Sequence, residues 1–92
     1  MSEQSSDKND PPVYAYVSPE RVVVRLQSGV EVSTPLWWYP RLHDASPAQR
    51  MDMELMPDGI HWPQVDEDLS IRGMIAGIPA PGAVPPYADA AE

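Results

Sequence analysis

Val22-Val23-Val24-Arg25-Leu26-Gln27-Ser28-Gly29-Val30-Glu31-Val32-Ser33-Thr34 is the stretch that decides the fold. Val22, Val24 and Leu26 alternate with Arg21, Val23, Arg25 and Gln27. After Ser28-Gly29 the alternation resumes, with Val30, Val32 and Thr34 against Glu31 and Ser33. A period of two is the signature of strands with one buried face, and the Ser-Gly break between two such runs is the signature of a hairpin. Two registers compete. A two-residue loop would set Leu26 against Glu31. A three-residue loop, Gln27-Ser28-Gly29 with Gly29 in the left-handed conformation, pairs Leu26 with Val30, Val24 with Val32 and Arg25 with Glu31. Only the second keeps the apolar set on one face, so it is the register predicted here.

Working outward, Val13-Tyr14-Ala15-Tyr16-Val17 also alternates and is joined to the hairpin by Ser18-Pro19-Glu20, which extends it to a three-stranded meander from Val13 to Thr34. Downstream the period changes. Thr34-Pro35 reads as an N-cap and first-turn proline opening a short apolar helix, Leu36-Trp37-Trp38-Tyr39, whose regularity Pro40 limits. Ser46-Pro47-Ala48-Gln49 has the spacing of a capping box and predicts a helical turn or two. Met53 to Met56 and Ile60 to Pro63 flank Pro57-Asp58-Gly59, a turn sequence, and predict a second short hairpin. Ser70 is placed to cap a last helix in which Ile71, Met74, Ile75 and Ile78 keep helical spacing. Leu69 is set to staple onto Met74, and Gly77 stands at the end. The expected class is α+β, a small antiparallel meander and a second hairpin packed with two or three short helices.

The chain has 92 residues, 14 acids against 6 bases, a formal charge of -8, twelve prolines and no cysteine. That length holds one small domain and excludes a large enzyme. Without cysteine there is no disulfide framework and no thiolate metal site. The acidic balance argues against direct binding to nucleic acid, which needs a basic face to release counterions. No run approaches the roughly 20 apolar residues of a membrane span, and Met1-Ser2-Glu3-Gln4-Ser5-Ser6-Asp7 is unlike a secretion signal, so a cytoplasmic location is expected. Residues 1–12 are too polar to offset their ordering entropy and read as a disordered acidic tail. Residues 79–92, rich in proline and alanine, read as a flexible tail, with docking peptide as the alternative use of such a segment. The domain is placed at 13–78, with nine acids against five arginines.

Two motifs carry a family resemblance. The first is Thr34-Pro35-Leu36-Trp37-Trp38-Tyr39-Pro40-Arg41-Leu42, followed by Ala45-Ser46-Pro47 and Gln49-Arg50. The second is Gly59-Ile60-His61-Trp62-Pro63 with Asp66-Glu67-Asp68-Leu69-Ser70 and Gly73. Together they resemble the domain-of-unknown-function family 2442, a bacterial family, over about residues 13–78. The resemblance implies a small α+β fold and supplies no reaction. It also implies an antitoxin-like role in a two-gene toxin-antitoxin module, because members are often encoded beside a second short protein. Some members are fused to a helix-turn-helix, and no such pattern follows Ile78.

Candidate functional residues fall in two groups. His61 with Asp66, Glu67 and Asp68 has the residue types of a metal or acid-base cluster, but its spacing matches no metal motif. The plainer reading is a histidine hydrogen-bonded beside Trp62 and an Asp68 that favours the start of the last helix. His43 and Asp44 belong to no triad, since no serine sits in a nucleophile elbow. The second group is Trp37, Trp38 and Trp62 with Arg41 and Arg50, residue types that anchor interfaces. Neighbouring tryptophans on a helix lie about 100° apart, so both cannot face one core; the plainer reading is that tryptophan fills a core short of phenylalanine.

The expectation is a non-catalytic protein-binding module without cofactor or metal, partnered by another protein of basic character and by neither nucleic acid nor membrane. Its partner-binding residues are drawn from Trp37, Trp38, Arg41, Arg50, His61, Trp62, Asp66, Glu67 and Asp68. Two alternatives stand beside it: an acidic mimic of nucleic acid that inhibits a nucleic-acid-binding enzyme, and a small hydrolase built on His61 and the acids of 66–68.

Overall fold

The computed structural model describes residues 10–86. Strands β1 (Pro12–Val17), β2 (Arg21–Leu26) and β3 (Glu31–Pro35) form one antiparallel sheet in that order, and β4 (Glu54–Met56), β5 (Gly59–Trp62) and β6 (Glu67–Ser70) form a second. Between the sheets run a 3-10 turn, Leu36–Trp38, and two short helices, α1 (Pro40–His43) and α2 (Pro47–Met51). Helix α3 (Ile71–Ala76) follows β6. The class is α+β.

The hairpin has the register that keeps valines together: Val24 pairs with Val32 and Arg25 with Glu31, and the loop closes through the Leu26 N–H to the Val30 carbonyl at 2.8 Å. Gly29 has φ 100°, the left-handed conformation that only glycine adopts without a steric penalty. Val22, Val24 and Leu26 are buried on the inner face of this sheet, in one core cluster with Leu36, Tyr39, Leu42, Ile60, Trp62, Leu69, Ile71 and Met74. Val30, expected on the apolar face, is exposed because it sits in the loop exit before β3 begins.

The capping box is formed. The Ser46 hydroxyl accepts from the Gln49 N–H at 3.1 Å, and the Gln49 side chain accepts from the Ser46 N–H at 2.9 Å. Ser70 likewise caps α3, accepting from the Gly73 N–H at 3.0 Å, and Gly77 ends that helix at φ 81°.

Four expectations need correction. Thr34 does not cap the following turn: it stays in β3 and its buried hydroxyl shares a hydrogen bond with the Tyr39 hydroxyl at 3.1 Å, since strand pairing holds its backbone extended. Pro40 does not disrupt a helix but starts one, at the position where its missing N–H costs nothing. Residues 67–70 form a strand, because β5 offers a free edge on which Trp62 pairs with Glu67 and Ile60 with Leu69. Asp68 consequently lies in that strand, before the cap of α3, and makes no contribution to its first turn. Helix α3 is only six residues long, so Ile71 and Met74 reach the core whereas Ile75 and Ile78 are exposed.

Ordered contacts run past both ends of the span 13–78. Pro12 opens β1, the Gln27 N–H donates to the Pro11 carbonyl, and the Asp10 carboxylate accepts from the N–H and hydroxyl of Ser28. At the other end the Ala80 N–H donates to the Trp38 carbonyl at 3.0 Å. The rest of the two expected tails, 1–9 and 87–92, lies outside the described residues.

Candidate partner-binding surface

Of the nine candidate residues, the structure gathers five around β6. His61 and Asp68 are direct cross-strand partners, with the imidazole Nδ1 2.6 Å from Asp68 Oδ1. Glu54, opposite His61 on β4, completes a row of carboxylate, imidazole and carboxylate across the outer face of this sheet. The Asp68 hydrogen bond, backed by the charges of Asp68, Glu54 and Asp66, raises the His61 pKa above its ordinary 6.5. At the start of β6 the Arg41 Nη1 donates to the Asp66 carbonyl at 2.6 Å and stands 3.7 Å from its carboxylate. Asp66 holds φ 54°, a left-handed conformation that aspartate tolerates better than most residues.

Glu67 differs from its neighbours in being only 8 % exposed. Parity explains it, because Glu67 shares the inner face with Leu69 while Asp66 and Asp68 point outward. Burial raises its carboxyl pKa, an effect that Arg41 opposes. Burial also raises the Tyr39 phenol, and the nearby Glu67 charge adds to that shift.

The remaining candidates divide between scaffold and surface. Trp62 is 0 % exposed, and its indole N–H donates to the Arg50 carbonyl at 2.9 Å. It has no surface to offer a partner and is corrected to core. The Arg50 guanidinium is also structural, donating to the carbonyls of Leu42 and His43 at the end of α1 at 3.1 and 2.8 Å. Trp37 and Trp38 are both half-buried, their rings 6.5 Å apart at 68°. Trp38 packs against the core, whereas Trp37 lines a surface groove beside Pro19, Glu20, Leu36 and Pro40.

Sequence reasoning missed a third surface. Tyr14 and Tyr16, rings 6.0 Å apart, are exposed on the outer face of the first sheet, and the Arg25 guanidinium lies 5.6 Å from the Tyr14 ring centre while bonded to Glu31. The signal was present in the pairing: Tyr14 is opposite Arg25 and Tyr16 opposite Val23, both out of phase with Val22 and Val24.

Charge is distributed unevenly over these surfaces. Eight of the ten described acids are exposed. Four of the five described arginines donate to oxygens of the chain itself: Arg21 to Ser33, Arg25 to Glu31, Arg41 to Asp66 and Arg50 to α1. Among the described residues no three His, Asp or Glu side chains converge as metal ligands, and no helix is long and apolar enough to cross a membrane.

Residues 15–80 match the model of the family described as a protein of unknown function, DUF2442. The chain belongs to the DUF2442 family. This DUF2442 chain is similar to a crystallised protein of unknown function from Rhodospirillum rubrum. The two share 32 % identity and a TM-score of 0.68, over 82 % of this chain and 96 % of that one. No functionally curated protein matches it. The DUF2442 match opens in β1 and closes at Ala80, the residue bonded to Trp38, so it takes in both sheets and all of the candidate residues.

Proposed function

We propose that this DUF2442 domain is a non-catalytic protein-binding module that holds a basic partner, as the antitoxin-like member of a two-protein pair. The observation that carries the reading is the charge distribution: among the described residues four of the five arginines are committed to the chain's own oxygens, while eight of the ten acids are exposed. A surface of that kind attracts a positively charged protein over distances of about a Debye length, ~8–10 Å at physiological salt, and speeds encounter. His61 interrupts the row between Glu54 and Asp68, an arrangement that supports a protein partner over a continuous phosphate-like stripe.

The test is purification of the full chain from its native host, followed by reconstitution with each recovered protein in purified form. A stoichiometric complex with a basic protein, weakened by added salt, is the expected result. Recovery of the chain alone, or turnover of a small substrate by the chain, would overturn the reading.

A further inference from the structure

We infer that the groove between the Ser18–Glu20 turn and the helical segment 36–43 is a recognition site for a proline-rich peptide that carries arginine or lysine. This inference rests on the protein-binding reading and names the surface and chemistry of that partner. The groove has a volume of about 530 Å3 and is walled by Trp37, Pro19, Leu36 and Pro40, with Glu20 and Asp44 on its margin. Its floor is fixed, since the Leu36 N–H donates to the Glu20 carbonyl at 2.9 Å and ties the 3-10 turn to the β1–β2 connection.

The chain's own proline-rich segment reaches this groove. After α3, the Ala80 N–H bonds to Trp38, and Ala80-Pro81-Gly82-Ala83 turns back with the Ala83 N–H on the Ala80 carbonyl at 3.2 Å. Pro81 in second place and Gly82 in third, at φ 88°, meet the demands of a type II turn. The turn delivers Val84, Pro85 and Pro86 to the same groove, where they form part of its lining together with Trp37. Adjacent prolines and a tryptophan lining one groove are the residue types of polyproline recognition, in which a segment already restricted to an extended conformation loses little entropy on docking.

Two features mark this segment as a loosely held part of the groove wall. Among the described residues none makes a hydrogen bond to Val84, Pro85 or Pro86, and Val84 remains 64 % exposed. The segment is also uncharged, and among the described residues no cation pairs with Glu20 or Asp44 apart from the long contact of Asp44 to His43 at 3.4 Å. A partner peptide with a basic residue beside its prolines satisfies these carboxylates as the chain's own segment does not. It therefore displaces that segment, which acts as a built-in competitor.

The experiment titrates the isotopically labelled full chain with a synthetic peptide carrying two adjacent prolines flanked by arginines, and with the same peptide carrying alanines for arginines. Amide shifts report position and affinity. The expected result is binding of the arginine peptide with shifts confined to residues 19–20, 36–44 and 82–86. Loss of the arginines, or Glu20→Gln with Asp44→Asn, should weaken it by about tenfold, and Pro85→Ala with Pro86→Ala should strengthen it several-fold. Both acidic side chains are exposed, so those variants keep the fold. Absence of binding to the parent and to the Pro85→Ala, Pro86→Ala chain, or binding indifferent to the arginines, would overturn the groove assignment. If a native basic partner then still binds, the module reading survives and its interface lies elsewhere; if none binds, both fail.

Discussion

His61 and Asp68 face each other across β5 and β6 with Nδ1 and Oδ1 2.6 Å apart, at a position where the imidazole keeps 30 % of its side-chain surface. The pair links strand register to protonation. Because the folded state holds His61 above its ordinary pKa of 6.5, its contribution to stability is present below that value and is lost as pH rises through the folded pKa. Asp68→Asn should return the His61 titration toward 6.5 and should destabilise the domain below that pH, with the loss fading as pH rises through the parent's raised folded pKa. Imidazole shifts and thermal midpoints measured across this range check both statements; a His61 pKa that is unmoved by the substitution would refute them.

Glu67 has the opposite relation to charge. Burial raises its folded pKa above the ordinary 4.5, so ionisation at neutral pH opposes folding, and the penalty vanishes as pH falls below that value. Arg41 offsets part of it. Glu67→Gln should be at least as stable as the parent at neutral pH, with the difference narrowing in acid. Denaturant midpoints at two pH values would show this, and a loss that persists at both would mean the carboxylate is needed as an acceptor. Glu67→Lys would place a second cation beside Arg41 in a buried position and should unfold the domain.

Trp62 joins the two motifs of the sequence through its bond to the Arg50 carbonyl. Trp62→Phe leaves that acceptor without its donor and should cost about 1–3 kcal/mol, whereas Trp62→Ala also opens a cavity and should cost about 3–5 kcal/mol. Against a total of ~5–15 kcal/mol for a small domain, the second variant approaches global unfolding. Chemical denaturation gives both values, and equal losses would assign the whole effect to the lost hydrogen bond and none to the cavity.

Gly59 opens β5 opposite Ser70, so close to the Leu69 carbonyl that a Cβ would collide with backbone oxygen. No flexible side chain is available to move aside. Gly59→Ala should therefore destabilise the domain toward the upper end of the ~1–3 kcal/mol usual for overpacking, and should weaken the β5–β6 pairing first. Hydrogen exchange of the residues 67–70 amides reads that directly, and unchanged protection there would contradict the packing argument.

The sequence carried the parts of the fold whose cause is local. Gly29 with the alternating valines specified the hairpin register, and Ser46 with Gln49 specified a helix start, because each depends on residues within a few positions of one another. Strand β6 was illegible for the converse reason: Glu67-Asp68-Leu69-Ser70 resembles an acidic helix entrance, and only pairing with β5 makes it extended. The same blindness affected the site. Aspartates and tryptophans mark themselves by type, yet whether Glu67 or Trp62 points inward follows from strand parity. The Tyr14 and Tyr16 surface follows from phase against Val22 and Val24, which the sequence contained but which only a fixed register makes readable.

The association rate of the full chain with its purified basic partner, followed as ionic strength is raised, tests the central claim most directly. Electrostatic capture predicts a rate that falls steeply with salt, and that falls again when Glu54 and Asp68 are replaced by lysine, with dissociation little changed. Glu54 and Asp68 are exposed on the outer face of the second sheet, on either side of His61, so these reversals act on the surface rather than on the core. An association rate indifferent to both salt and charge reversal would contradict the account.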